Sequence, residues 1–213
     1  MTSLKTEKKS TKRTAYHHGD LRRALIDAGL KILEEEGIEA LSLRQVARTI
    51  GVSQAAPYAH FKDKHAILEA IAKEGFDLLF KYMRRWAGKA KDDPSMLTAY
   101  GVAYVSFAVE HPALFKLMFG SELGTGDAAD VSAATSDAYS LILDISKRLL
   151  GDDGVDDDKV SLHAMYAWSS VHGLANLLVD GRLNSQLAAA GNDPAALAER
   201  MLASTAPIVA PLK

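Results

Sequence analysis

Apolar residues recur along almost the whole chain at the three-and-four spacing of helices. No stretch alternates apolar and polar positions for long enough to make a convincing strand. The first predicted helix is capped by Asp20 and runs to about residue 36, with Leu21, Leu25, Ala28 and Ile32 as its buried stripe. Gly37 stops it, and Ile38 folds back on the last turn. A helix follows over 42–50, then a short one over 54–60. A long helix begins after Asp63 and ends near residues 86–89, with Ile67, Leu68, Ile71, Leu78, Leu79 and Tyr82 as its apolar positions. Asp93-Pro94 starts the next, since proline suits a first helical turn, and Tyr100, Tyr104, Phe107 and Ala108 share one of its faces. His111-Pro112 breaks that helix, and a short apolar one over 113–119 closes at Gly120. Asp127 or Asp130 opens a helix reaching Leu150. Asp156 or Asp157 caps another over 159–179, which Gly181 stops. Asn192-Asp193-Pro194 starts the last, to about residue 205. The expected fold is all-α with about nine helices.

Residues 42–61 carry the most specific pattern. Ser42 is a favourable N-cap, Gln45 completes a capping box, and Leu41 and Val46 sit where a hydrophobic staple would close. Leu43, Val46, Ala47 and Ile50 form one helix face. Gly51 suits the left-handed conformation of a helix stop, Val52 can plug the core below the turn, and Ser53 is a second N-cap. Helix, glycine turn and capped helix make the helix-turn-helix layout. The second helix has little apolar bulk: Ala55, Ala56 and Ala59 are small, while Gln54, Tyr58 and His60 can donate hydrogen bonds. Small residues with a few polar tips suit a helix that enters a DNA groove. Pro57 removes one or two backbone bonds, so this helix should be short.

The run 43–61, ending Tyr58-Ala59-His60-Phe61 and followed by Lys62-Asp63-Lys64, resembles the DNA-binding domain of the tetracycline-repressor (TetR) family of transcriptional regulators over about residues 16–80. The entry Tyr16-His17-His18-Gly19-Asp20-Leu21-Arg22 is similar to one branch of that family. The resemblance implies that Gln54, Ala55 and Ala56 face base edges and that Tyr58, His60 and Lys64 hold phosphates. Arg44, early in the first helix of the pair, can reach a base or a phosphate. Ser42 and Ser53 act mainly as caps whose exposed helix N-termini favour phosphate.

The helix over 159–179 is apolar nearly all round, so it is covered on more than one side, and with the last helix it can pair with its copy in a second subunit. Its Trp168-Ser169-Ser170-Val171-His172-Gly173 resembles the Trp-His-Gly motif of one TetR ligand-domain type, as does His111-Pro112-Ala113-Leu114-Phe115. Tyr104, Phe107, Phe115 and Met118, with Tyr139, Tyr166, Trp168 and His172, are the candidate lining of a ligand pocket. Phe119 belongs to the same group of large side chains.

Composition narrows the function classes. The 213 residues include no cysteine, which excludes a disulfide framework and thiolate metal sites and fits a cytoplasmic protein. The first 15 residues are polar and basic rather than a secretion signal, and no window of apolar residues is long and uncharged enough to span a membrane. Net charge is −2, but residues 1–86 hold 16 Lys and Arg against 11 Asp and Glu, while the rest hold 9 against 16. A basic front (+5) and an acidic rear (−7) point to polyanion contact at the front alone. His163 and His172 lie nine apart, half a helical turn out of phase, and no other spacing suits a metal. Gly51-Val52-Ser53 lacks the preceding strand of a nucleophile elbow, and Gly124-Thr125-Gly126 lacks that of a dinucleotide loop.

The expected organisation is a basic arm over 1–15, a three-helix DNA-binding domain over 16–62, a linking helix over 63–89 and a helical bundle for ligand binding and dimerisation over 90–213. The expected function is a non-enzymatic, cofactor-free, cytoplasmic homodimer. It binds double-stranded DNA and is a repressor released from a pseudo-palindromic operator by a small-molecule effector. The alternative is a ligand-independent DNA architectural or partner-binding protein. A fully packed rear domain would favour the alternative, and a cavity there would favour the effector.

Overall fold

The computed structural model describes residues 18–123, 129–151 and 156–209. The basic arm, Tyr16-His17, the loop 124–126, Asp127 and most of the acidic loop after Gly151 lie outside them. The described residues form nine α-helices and two 3-10 turns, with no strand among them. The helices are α1 (His18–Glu36), α2 (Leu43–Ile50), α3 (Lys64–Ala87), α4 (Asp93–Glu110), α5 (Pro112–Phe119), α6 (Ala129–Leu150), α7 (Asp157–Val179), α8 (Asn184–Ala189) and α9 (Pro194–Val209).

Local chemistry sets most boundaries. The Ser42 hydroxyl accepts the Gln45 N–H at 3.2 Å, one half of the expected capping box. Such a cap contributes about 1 kcal/mol. Gly51 ends α2 at φ +73°, where its N–H reaches the carbonyls of Ala47 and Arg48. Asp63 caps α3 by accepting the Ala66 N–H at 2.9 Å. Asp92, not Asp93, caps α4, in a full capping box with Ser95. Asp156 caps α7 by accepting the Asp158 N–H, and Asp193 accepts from Ala195 and Ala196 at the start of α9.

Four expectations are corrected. α1 is described from His18, so Asp20 lies inside the helix instead of before it. The predicted helix over 54–60 is a single 3-10 turn, Ala56–Ala59. Its cap position is Ala55, without a side-chain bond, and Ser53 contributes its backbone carbonyl to the Ala56 N–H at 3.0 Å. The physical reason is Pro57: its ring has no N–H to continue an α ladder, it is buried, and its own carbonyl takes the N–H groups of both His60 and Phe61. α8 was not expected, because six residues show too little periodicity to reveal a helix. α9 runs on to Val209, past the expected end near residue 205.

One hydrophobic core runs through the molecule, from Leu25 and Ile32 of α1, through Ile67, Phe76 and Leu79 of α3, to Phe107, Leu114 and Val171. α3 is its spine. On one flank it packs α1, against which α2 is seated; on the other it meets α4, α5 and α6. Gly75 marks how close α3 and α5 come: a Cβ there would stand 2.5 Å from the Met118 sulfur. α4 and α5 meet at 111° across His111. Among the described residues no single helix is long and apolar enough to cross a membrane.

Candidate functional site

The first surface of interest is the turn after α2. Leu43, Val46 and Ala47 sink the inner face of α2, and Pro57 and Phe61 anchor the turn from below. Everything between them is turned outward. Ser53, Gln54 and Ala55 are exposed, Ala56 and His60 are half-buried, and Tyr58 is 52% exposed. Arg44 is exposed on the outer face of α2. The chain thus presents small residues and polar tips at the position where the sequence placed them. Lys64 is different. It is half-buried, and its ammonium donates to the Ile38 carbonyl at 2.7 Å, tying α3 to the turn after α1. One of its three donors is therefore engaged within the protein. Arg22 lies over the Phe61 ring at 5.3 Å and fixes the same corner.

The second is a cavity of about 300 Å³ bordered by α3, α4, α6, α7 and α9 and open to solvent on one side. Tyr104 and Ile142 lie at its buried end, and the exposed Tyr166 lies where it meets solvent. Of the predicted pocket residues, Tyr104 and Tyr166 line it. Tyr139 and Trp168, again with Tyr104, line a far smaller void of about 10 Å³. Phe107, Phe115, Met118 and His172 do not line either; Phe115 and His172 pack against the Tyr104 ring. Phe107, Phe115 and Met118 are buried in the core.

That floor is built as a relay. The buried Tyr104 hydroxyl lies 2.8 Å from His172 Nδ1, and the Trp168 ring packs against the His172 ring with centroids 6.0 Å apart. Burial holds His172 below the usual histidine range and, as the largest effect, pushes the Tyr104 phenol upward. Both groups are therefore neutral near pH 7. His172 of α7 thus holds a tyrosine of α4. Tyr104 then stacks edge-on against Phe115 of α5 at 5.7 Å, and Phe119 carries the contact to Phe76 of α3 at 5.5 Å. The floor is in packing contact with the helix that carries the front of the molecule.

A polar cluster joins the same parts from outside. Glu34 of α1 lies 3.3 Å from His111 Nδ1 at the α4–α5 corner, and Tyr82 of α3 lies 3.3 Å from His111 Nε2. The Tyr82 hydroxyl also donates to Glu110. Burial, followed by the Glu110 bond, pushes the Tyr82 phenol up to about 12.

Sequence reasoning missed Thr98, Tyr100, Gly101, His163 and Ser170, all of which line the larger cavity. Their signal was available. Positions 97, 98, 101 and 104 of α4, and 163, 166, 167 and 170 of α7, follow the helical period toward one side. Selecting large aromatic residues by size passed over them. Among the described residues, no group of three or more His, Asp or Glu is placed to hold a metal ion.

Residues 97–205 match a family model described as tetracyclin repressor-like, C-terminal domain. Residues 25–71 match one for bacterial regulatory proteins, tetR family. An HTH-type transcriptional regulator of Mycobacterium tuberculosis is 27% identical over 161 residues, covering 75% of this chain and 71% of that protein. The class D tetracycline repressor of Escherichia coli is 43% identical over 53 residues, 25% of this chain and 24% of the repressor. A solved structure of a protein of unknown function from Rhodococcus sp. RHA1 superimposes with a TM-score of 0.76 at 35% identity, over 92% of this chain and 98% of that one. The regulator FadR from Bacillus subtilis, solved with stearoyl-CoA, shares the fold at a TM-score of 0.66 and 16% identity, over 88% of this chain and 97% of that one.

Proposed function

This chain belongs to the tetR family of bacterial regulatory proteins and is a DNA-binding transcriptional regulator; from that premise we propose a cytoplasmic, homodimeric repressor released from its operator by a small molecule. The cavity carries this reading. A ligand-independent architectural protein has no use for a hollow rear bundle, whereas an effector needs one.

In the proposed arrangement residues 16–62 are the reading head, 63–89 the link, and 90–213 the effector and dimerisation bundle, with the basic arm 1–15 following the duplex. Gln54, Ala55 and Ala56 face base edges. Ser53, Tyr58, His60 and Lys64 hold the backbone, and Arg44 reaches a base or a phosphate. Phosphate contacts set register, and base contacts set sequence. Two heads would sit in successive major grooves about 34–36 Å apart. α7 supports the pairing: Leu162 is 61% exposed, and Met165 and Leu177 lie exposed on the same outer side. A large apolar stripe of that kind calls for a partner surface. An effector that fits one position of Tyr104 better than another biases α5 and α3 through the aromatic contacts, and with them the head spacing. Only such a difference in affinity between two states can switch the protein.

The test is operator selection from random duplex, followed by mobility shifts. Raising salt from about 50 to 200 mM should weaken binding on the order of a thousandfold if about six phosphates are neutralised. Gln54→Ala should relax sequence preference, and Lys64→Ala should weaken all duplexes alike and lower the salt slope by about one. Flat salt dependence, or equal and sequence-independent losses from both variants, would remove the assigned roles.

A further inference from the structure

We propose that the cavity takes an uncharged, mainly apolar molecule bearing a hydrogen-bond acceptor such as a ketone, ester or lactone carbonyl, and that His163 Nε2–H is the donor that holds it. This rests on the effector reading above and gives it a chemical class.

The larger cavity is walled by Met83, Leu97, Ile142, Leu149, Val171 and other apolar groups, and among the described residues no Lys, Arg, Asp or Glu lines it. The Arg148 guanidinium is already paired: its Nε lies 3.0 Å from both carboxylate oxygens of Asp93, next to the lining residues Leu149 and Pro94. An anionic guest would give up its hydration without meeting a cation in that lining. The hydroxyls in the wall are mostly committed. Thr98 donates to the Pro94 carbonyl at 3.0 Å and Ser170 to the Tyr166 carbonyl at 2.8 Å, while Tyr104 serves its own relay.

His163 is the exception. Its Nδ1 lies 2.9 Å from the Ser146 hydroxyl, and Ser146 is fully buried. If Nδ1 carried the proton, the Ser146 hydrogen would be stranded with no acceptor, an arrangement buried hydroxyls avoid. The serine therefore donates to Nδ1, and the ring proton sits on Nε2. Burial holds His163 below its ordinary range, which keeps the ring neutral. Nδ1 is turned to α6, so Nε2–H is the ring donor left for a guest. Tyr100 and Tyr166 also belong to the lining. At about 300 Å³ the space holds the volume of roughly ten waters, so the guest is small.

The test uses the full-length protein and has two independent readouts. Long-range nitrogen–proton NMR of the ligand-free protein should show His163 protonated at Nε2; protonation at Nδ1 overturns the assignment whatever binds. Calorimetry then compares 2-nonanone with nonanoate at about pH 8, where the acid is fully ionised. The ketone should bind at least about tenfold more tightly, and His163→Phe should weaken it about five- to tenfold. His163→Gln, which keeps an N–H donor, should recover part of the loss, so that a merely misfolded variant is told apart. Nonanoate binding as well as the ketone overturns the neutral class but leaves the effector cavity standing. Binding of neither, with a crystal structure showing the cavity closed, removes the effector reading and this assignment together.

Discussion

Tyr104→Phe tests the construction of the cavity floor most directly. The substitution keeps the ring, which packs against Phe115 and Phe119 at 5.7 and 5.8 Å, and deletes only the hydroxyl. That hydroxyl makes one hydrogen bond, with His172 Nδ1 at 2.8 Å, inside a residue that is 4% exposed. Such a bond contributes about 1 kcal/mol net, and its removal leaves the half-buried His172 nitrogen unpaired at about a further 1 kcal/mol, so the loss should be about 2 kcal/mol. For a chain of this length each kcal/mol moves the melting temperature by roughly 2–4 °C, which gives a fall of about 4–8 °C by calorimetry. Protein concentration must be held fixed, because association raises apparent stability. Tyr166→Phe is the control: it deletes the same group from a residue 39% exposed and should change stability by less than about 0.5 kcal/mol. If both variants melt together within about 1 °C, the Tyr104–His172 bond does not hold the floor and the coupling route drawn from it fails.

Three further outcomes are expected. Gly51→Ala should cost about 1–2 kcal/mol by urea unfolding: φ is +73° and nothing lies within 4 Å of the added methyl, so strain acts alone, and a loss of only a few tenths would contradict it. Stability should be full above about pH 6.5 and fall as pH drops from there toward the lower folded-state values of His163 and His172, because burial depresses both and the unfolded chain binds more protons in that window. Urea midpoints that rise from pH 7 to pH 5.5, or the same fall in a variant with both histidines replaced by glutamine, would count against that account. Glu34 and His111, half-buried and 3.3 Å apart across the junction, should show a coupling of about 0.5–1 kcal/mol in a double-mutant cycle with Glu34→Gln and His111→Phe, and strict additivity would sink the contact.

The sequence alone determined what depends on neighbours within one or two turns. The all-helical class, the cap at Ser42, the helix start after Asp63, a cap at Asp156 or Asp157, the stop at Gly51 and the break at His111-Pro112 all follow from such short-range bonds, which is why they were legible. The exposed small residues after Gly51 were legible for the same reason, since burying them would yield almost no apolar contact. Tertiary structure decided the rest. Whether residues 54–60 form a short α-helix or one 3-10 turn was decided at Pro57, whose missing N–H the sequence shows and whose burial it does not. The engagement of Lys64 with Ile38, and of Glu34 with His111 across 77 positions, requires helices that only the packed core brings together. The cavity is the clearest case. It is a place where five helices fail to fill the space between them, and emptiness is a property of the assembled packing that no single residue encodes. So Phe107, Phe115 and Met118, chosen for their size, went to the core that supports the cavity. Thr98, His163 and Ser170, chosen by nothing in their size, came to line it.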